Sequence, residues 1–163
     1  MCNKSLVRGF IAEAEKLFGT PPPERATFEV QEVPNALHAD WDDLKNHVTI
    51  RIPPDWGELH REGQLAHESF HVFSPAKPSE ATYLDEGLAT LLAKHCRNYL
   101  SSDPKYCEAL SLTERLITQY PDCVKKLTSG GRRVALVSPS DIVAACHGFP
   151  LADANLLVRK FYH

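Results

Sequence analysis

The chain has no excess of positive charge: 18 Lys and Arg stand against 21 Asp and Glu, a formal net charge of −3. A protein that binds a phosphate backbone needs such an excess, so composition argues against nucleic acid as a partner. No apolar run approaches the roughly 18 residues that a membrane-spanning helix requires. The N-terminal stretch interrupts its apolar residues with Arg8, Glu13, Glu15 and Lys16, which is not the pattern of a signal peptide. There is no C-x-x-C pair, and five cysteines (2, 96, 107, 123 and 146) leave at least one thiol unpaired. That usage suits a reducing, cytoplasmic setting better than a disulfide framework. Cys2 directly after Met1 is the other possibility, an exported or lipid-anchored protein with some of the remaining cysteines bridged. Internal repeats and low-complexity segments are also lacking, and at 163 residues one hydrophobic core in one domain, 1–163, is expected.

Leu6, Phe10, Ala14 and Leu17, with Val7, Ile11 and Phe18 alongside, predict an amphipathic helix over residues 5–18, stopped by Gly19 and Pro21-Pro22-Pro23. Phe28-Glu29-Val30 and 47–52 alternate apolar with polar residues and read as two strands, the second ended by Pro53-Pro54. Asp55, with Glu58 three positions on, predicts a helix start whose end is Ser74-Pro75. A second helix is expected from about Ser79 to Leu100, and a third from the Asp103-Pro104 cap to Tyr120-Pro121. Val134–Val137 reads as a short strand, and the remainder as one or two helices broken at Gly148 and Pro150. The fold class is therefore α+β: a mostly helical domain with a small sheet at its N-terminal side, packed on the helix that follows Asp55.

That helix carries His67-Glu68-Ser69-Phe70-His71, an H-E-x-x-H pattern. At about 100° per residue, His67 and His71 lie only about 40° apart around the axis, so both imidazoles project from one side and can chelate one ion. Glu68 lies about 100° round from His67, off the ligand direction but placed to reach a water on the metal. Leu59, Gly63, Ala66, Phe70 and Phe73 form the stripe that should face the core, leaving the histidines at its boundary.

A catalytic metal site needs a third protein ligand. The next helix offers Glu86 on a face of small residues, Thr82, Ala89 and Ala93, opposite an apolar face of Leu84, Leu88, Leu91 and His95. Small side chains let two helix axes approach closely, so one carboxylate can meet the histidine pair and leave a fourth position open.

With H-E-x-x-H followed by Asp85-Glu86-Gly87-Leu88-Ala89, residues 47–95 resemble the gluzincin metallopeptidases, and the short chain is similar to the compact minigluzincins. The resemblance implies one zinc per chain held by His67, His71 and Glu86, with Glu68 as general base. It also implies that Val48, Thr49 and Ile50, in a strand at the cleft edge, pair with an extended substrate, a mode that strand-edge hydrogen bonding allows. Thermolysin-like enzymes have an Asp one turn after the ligand Glu; here Thr90 stands there, so bracing of the histidines falls to Asp85 or backbone carbonyls. An oxyanion donor has five candidates, Tyr83, Tyr99, Tyr106, Tyr120 and His147.

The function these residues point to is zinc-dependent hydrolysis of a peptide or protein substrate. The alternatives are a narrowly specific regulatory protease and a non-catalytic binding module that keeps the helix for structure. Elsewhere His60 reads as a rim histidine, His95 as a packed core residue, Arg132 and Arg133 as a solvated turn, and Trp41 and Trp56 as packing residues.

Overall fold

The computed structural model describes residues 3–20 and 26–162. In chain order these form α1 (Asn3–Phe18), β1 (Thr27–Glu32), β2 (His38–Asp42), β3 (His47–Ile52), α2 (Glu58–Phe73), α3 (Tyr83–Arg97), α4 (Pro104–Gln119), α5 (Cys123–Leu127), a 3-10 turn (Val134–Leu136), α6 (Pro139–Ala145) and α7 (Leu151–Leu157). The architecture is α+β, as the periodicities predict, and no helix among the described residues is long and apolar enough to cross a membrane.

Helix α1 buries Leu6, Val7, Phe10, Ala14 and Phe18, and Gly19 ends it at φ +99°, a conformation glycine adopts without a Cβ clash. The Pro21–Pro23 stop and Cys2 lie outside the described residues. The sheet has three strands in the order β1-β3-β2, with β1 parallel and β2 antiparallel to β3. Val48, Ile50 and Ile52 of β3 are fully buried and pack with Leu65, Ala66 and Val72 of α2, which seats the sheet on the helix that carries H-E-x-x-H.

This topology corrects the reading of 48–50 as a cleft-edge strand. Both backbone edges of β3 are taken, by β1 and by β2, so Val48, Thr49 and Ile50 have no free hydrogen-bonding groups along the strand to offer a substrate. The edges of the sheet are β1 and β2.

A second, larger core lies on the other side of α2, where Phe70 and Phe73 meet Phe18, Leu84, Leu88 and Leu92. With apolar contacts on two sides, α2 is buried over most of its circumference from Gly63 to Phe73, whereas Leu59, assigned to the core stripe, is 65% exposed beyond the edge of the packing. His95 is likewise exposed rather than packed, while its neighbour Cys96 is the residue of that last turn that meets the core. Asn98 closes that helix at φ 49°.

Helix α3 starts at Tyr83, four residues later than Ser79. Thr82 is a better cap than Ser79: its side chain accepts from Asp85 N–H at 3.2 Å, and it forms a β-bridge with Lys160. Val134–Leu136 is a 3-10 turn and not a strand: Val134 docks into the helical core away from the sheet, while Leu136 is left 55% exposed. Gly87 sets the approach of α4, because a Cβ there would sit 2.1 Å from Thr113 Oγ1 and 2.5 Å from the Ala109 carbonyl oxygen. Cys123 and Cys146 form a disulfide with Cα atoms 6.2 Å apart, a bridge that the reducing-compartment reading of the cysteines does not contain.

Candidate metal centre

Helices α2 and α3 form an antiparallel pair, and their facing sides bring His67, His71 and Glu86 together. The ligand atoms of the three lie within 4.8 Å of one another, a group that can hold a metal ion. His67 Nε2 is 3.1 Å from Glu86 Oε2, and His71 Nε2 is 3.7 Å from Glu86 Oε1. Each imidazole thus turns the same ring nitrogen toward one carboxylate. The cluster is enclosed: Glu86 is 1% exposed and His67 7%.

Local sequence explains this placement. Glu86 stands in the first turn of α3, where unpaired N–H groups and the helix dipole favour negative charge. Burial alone would raise its pKa, but the two histidines opposite hold it well below the usual carboxylate range. Burial likewise disfavours charge on His71, yet Glu86, Asp85 and Glu68 together raise its pKa to about 10. Without a metal the site is therefore a buried imidazolium–carboxylate pair.

Asp85 completes the arrangement from behind. Its carboxylate lies 3.7 Å from His71 Nδ1, the nitrogen turned away from Glu86, and burial pushes its pKa up to about 7. Both its oxygens are buried without a hydrogen-bond partner. Of the two sources of bracing considered, Asp85 is the one brought to a histidine, while Thr90 spends its hydroxyl on the Glu86 carbonyl one turn back.

The donor set fits a divalent cation. Three buried carboxyl groups, Glu68, Asp85 and Glu86, gather around the two imidazoles. Two imidazole nitrogens and a carboxylate are ligands of a divalent ion, whose charge takes the place of the protons the rings give up. His71, whose Nδ1 faces a carboxylate while Nε2 faces the cluster, is oriented as metal-binding histidines characteristically are.

The cluster forms the floor of a cleft of about 460 Å³. Glu68 lines it, is nearly buried, and makes no hydrogen bond to any described residue. On one side stand four consecutive residues, Leu37 to Asp40. Successive side chains of a strand point to opposite faces, so a wall that uses all four meets the cleft with the strand's edge. Within this wall His38 lies 3.2 Å from Asp40, and Arg51 pairs with both.

The opposite wall selects among the tyrosines. Tyr106 of α4 stacks edge-on to His67 at 5.5 Å between ring centroids, and its hydroxyl meets that of Tyr162 at 2.9 Å. Burial, reinforced by Glu86 and Glu68, raises the pKa of both phenols, which keeps them protonated donors. Tyr99 is at the rim, bonded to Gln64 and His60, against Gly63, whose missing Cβ leaves the ring its room. Tyr83 is buried under Phe161 and Arg159, and Tyr120 donates to the His147 carbonyl; neither they nor His147 line the cleft. Trp41 packs under Arg133 and Trp56 against His60. Arg132 and Arg133 are engaged by Asp141 and Glu80, not free in a solvated turn.

Two parts of the site escaped the sequence. His38-Ala39-Asp40-Trp41-Asp42 does alternate, but with only Ala39 and Trp41 as its apolar members the period-2 signal is faint. Tyr162 reaches the cleft because residues 159–161 run beside 81–83: Tyr83 N–H donates to the Arg159 carbonyl at 3.0 Å and Phe161 N–H to that of Ala81 at 2.9 Å. No local pattern announces such a pairing.

No protein-family model significantly matches the chain, nor does any curated protein or solved structure.

Proposed function

We propose that this protein is a zinc-dependent peptidase. The observation that carries the reading is the convergence of His67, His71 and Glu86 within 4.8 Å on the floor of a cleft, with Glu68 beside them and hydrogen-bonded to none of the described residues. Two imidazoles and one carboxylate, with a position left for solvent, are the donor set of catalytic zinc sites, in contrast to the four protein ligands of structural ones. Zinc held there supplies Lewis acidity, lowering the pKa of a coordinated water toward 7 and polarising a carbonyl.

The remaining roles belong to the chain. An extended peptide adds to the free edge of β2, where backbone hydrogen bonds fix its direction irrespective of sequence. Glu68, next to the ligand direction, accepts a proton from the attacking water and returns it to the leaving amine. Tyr106 and Tyr162, kept protonated, donate hydrogen bonds toward negative charge developing on the substrate carbonyl oxygen. Asp85 holds His71 with Nδ1 toward itself and Nε2 toward the metal position.

The test is zinc content and single-turnover cleavage of a mixed peptide library, measured on one preparation each of wild type, His67→Ala and Glu68→Gln. Wild type should carry about one zinc per chain, and His67→Ala should lose it. Glu68→Gln should keep the metal and lose roughly 10²–10⁴-fold in rate, the usual worth of a general base. Full cleavage by zinc-loaded Glu68→Gln would refute the mechanism.

A further inference from the structure

The charges around the cleft bear on which part of a polypeptide it accepts. An enzyme that trims chain ends must recognise an end: a cation for the terminal carboxylate, or an available carboxylate for the terminal ammonium. None of the described residues lining this cleft is lysine or arginine. His38, the lining imidazole outside the metal cluster, is already engaged by Asp40 and Arg51. A free terminal carboxylate entering here would meet Glu68 and Glu86 with no counter-charge of its own.

The carboxylates are equally committed. Asp40 pairs with Arg51, Glu86 faces both histidines, and Glu68 has the proton-transfer position. Asp103 accepts from Lys105 N–H at 2.8 Å as the cap of α4 and is exposed, so water screens what attraction it has for an ammonium. The β2 wall from Leu37 to Asp40 extends roughly 13 Å at strand spacing, room for about four residues of an extended partner along an edge that no described strand covers.

We infer that the cleft takes interior segments of extended polypeptide and recognises neither terminus, which makes the enzyme an endopeptidase. This rests on the peptidase reading of the same cleft. Main-chain pairing with β2 supplies affinity that does not depend on where the segment lies in its chain.

The experiment uses one set of ten-residue peptides in three forms: acetylated and amidated at the two ends, free at the amino end only, and free at the carboxyl end only. Cleavage by the zinc-loaded wild type is followed by mass spectrometry. Binding to zinc-loaded Glu68→Gln, and to the metal-free wild type in case the variant folds poorly, is followed by fluorescence anisotropy. The expected result is that doubly blocked peptides bind and are cut as well as the others, at bonds distant from both ends. A charge-assisted contact to a terminus is worth roughly tenfold or more, so a loss of that size on blocking one end, with cuts confined to that end, overturns the inference and leaves the peptidase reading intact. Binding of blocked peptides without cleavage of any form removes the peptidase reading while retaining recognition of interior segments. Failure of every form to bind overturns the inference.

Discussion

The His67–His71–Glu86 cluster is enclosed, the capping residues of the disulfide-tied region around α5 and α6 are partly open to solvent, and the two treat polar groups in opposite ways. Around α5 and α6 the chain supplies its own partners for Ser138, Asp141, Arg132 and Thr128. Ser138 and Asp141 close a capping box, Arg132 pairs with Asp141 at 2.7 Å, and Thr128 donates to the carbonyls of Phe18 and Val124. The hydrogen bonds from Ser138 and the Arg132 guanidinium hold Asp141 down at about 2. In the cluster, by contrast, Asp85 has two buried oxygens without a hydrogen-bond partner, and three carboxylates crowd two imidazoles. The first region is satisfied by the protein; the second is arranged for a charge that comes from outside. Single unmatched atoms occur elsewhere too, at Thr113 Oγ1 and Trp41 Nε1, so what sets the cluster apart is a whole carboxylate without a hydrogen bond beside two imidazoles.

Three measurements break or sharpen this contrast. The largest effect is expected from Cys123→Ala with Cys146→Ala. Their separation of 23 residues corresponds to a loss of about 3 kcal/mol in unfolding free energy by urea titration. Zinc affinity of the folded protein should be unchanged, and a parallel loss of zinc would mean that the two regions are not separate. Next is Asp85→Asn, which keeps the shape behind His71 and removes the charge. Loss of such a supporting carboxylate typically weakens metal binding 10–100-fold, and isothermal titration should find a drop near the lower end of that range. Affinity equal to wild type would make Asp85 a packing residue.

The smallest effect per step is that of pH. In the metal-free protein the His71 pKa of about 10 lies above its unfolded value of about 6.5, so its contribution to stability is complete below about 6.5 and is lost as pH rises through 10. Asp85 has the same sign: its contribution is complete below about 3.8 and is lost as pH rises through about 7. The melting temperature of the metal-free protein should therefore fall from pH 6.5 to 9. Zinc must displace the His71 proton, so its affinity should rise about tenfold per pH unit from 6 to 8.5. A flat affinity profile would mean that His71 is already neutral when the ion arrives.

Much of this was legible in the sequence because the spacing is local. His67 to His71 is one helical turn, and Thr82, Glu86, Ala89 and Ala93 mark a helix face that approaches a neighbour, so the convergence of His67, His71 and Glu86 follows from residues 67–93. The α+β class followed from periodicity. What failed depends on distant pairing: which strand stands at the sheet edge, where Val134–Leu136 docks, which cysteines meet, and how Tyr162 arrives. His95 failed for another reason, since an apolar stripe does not say where the core ends. Cysteine spacing in particular permits several connectivities and prefers none.

The strap formed by residues 159–161 also sets an order of assembly. His67 and Glu86 are 19 residues apart, and the two helices that carry them are adjacent in the chain, whereas the bond from Lys160 Nζ to the Glu80 carbonyl spans 80 residues. Contacts so different in range do not form together on a chain emerging from the ribosome, since long-range closure waits for its distant partner. A nascent chain of this protein gathers its metal ligands first, and the Tyr106–Tyr162 wall closes only after residue 162 has emerged. If the cleft is the proposed peptidase site, its ligand set is complete before its tyrosine wall, and an unfinished chain holds an ion before it can cut its neighbours.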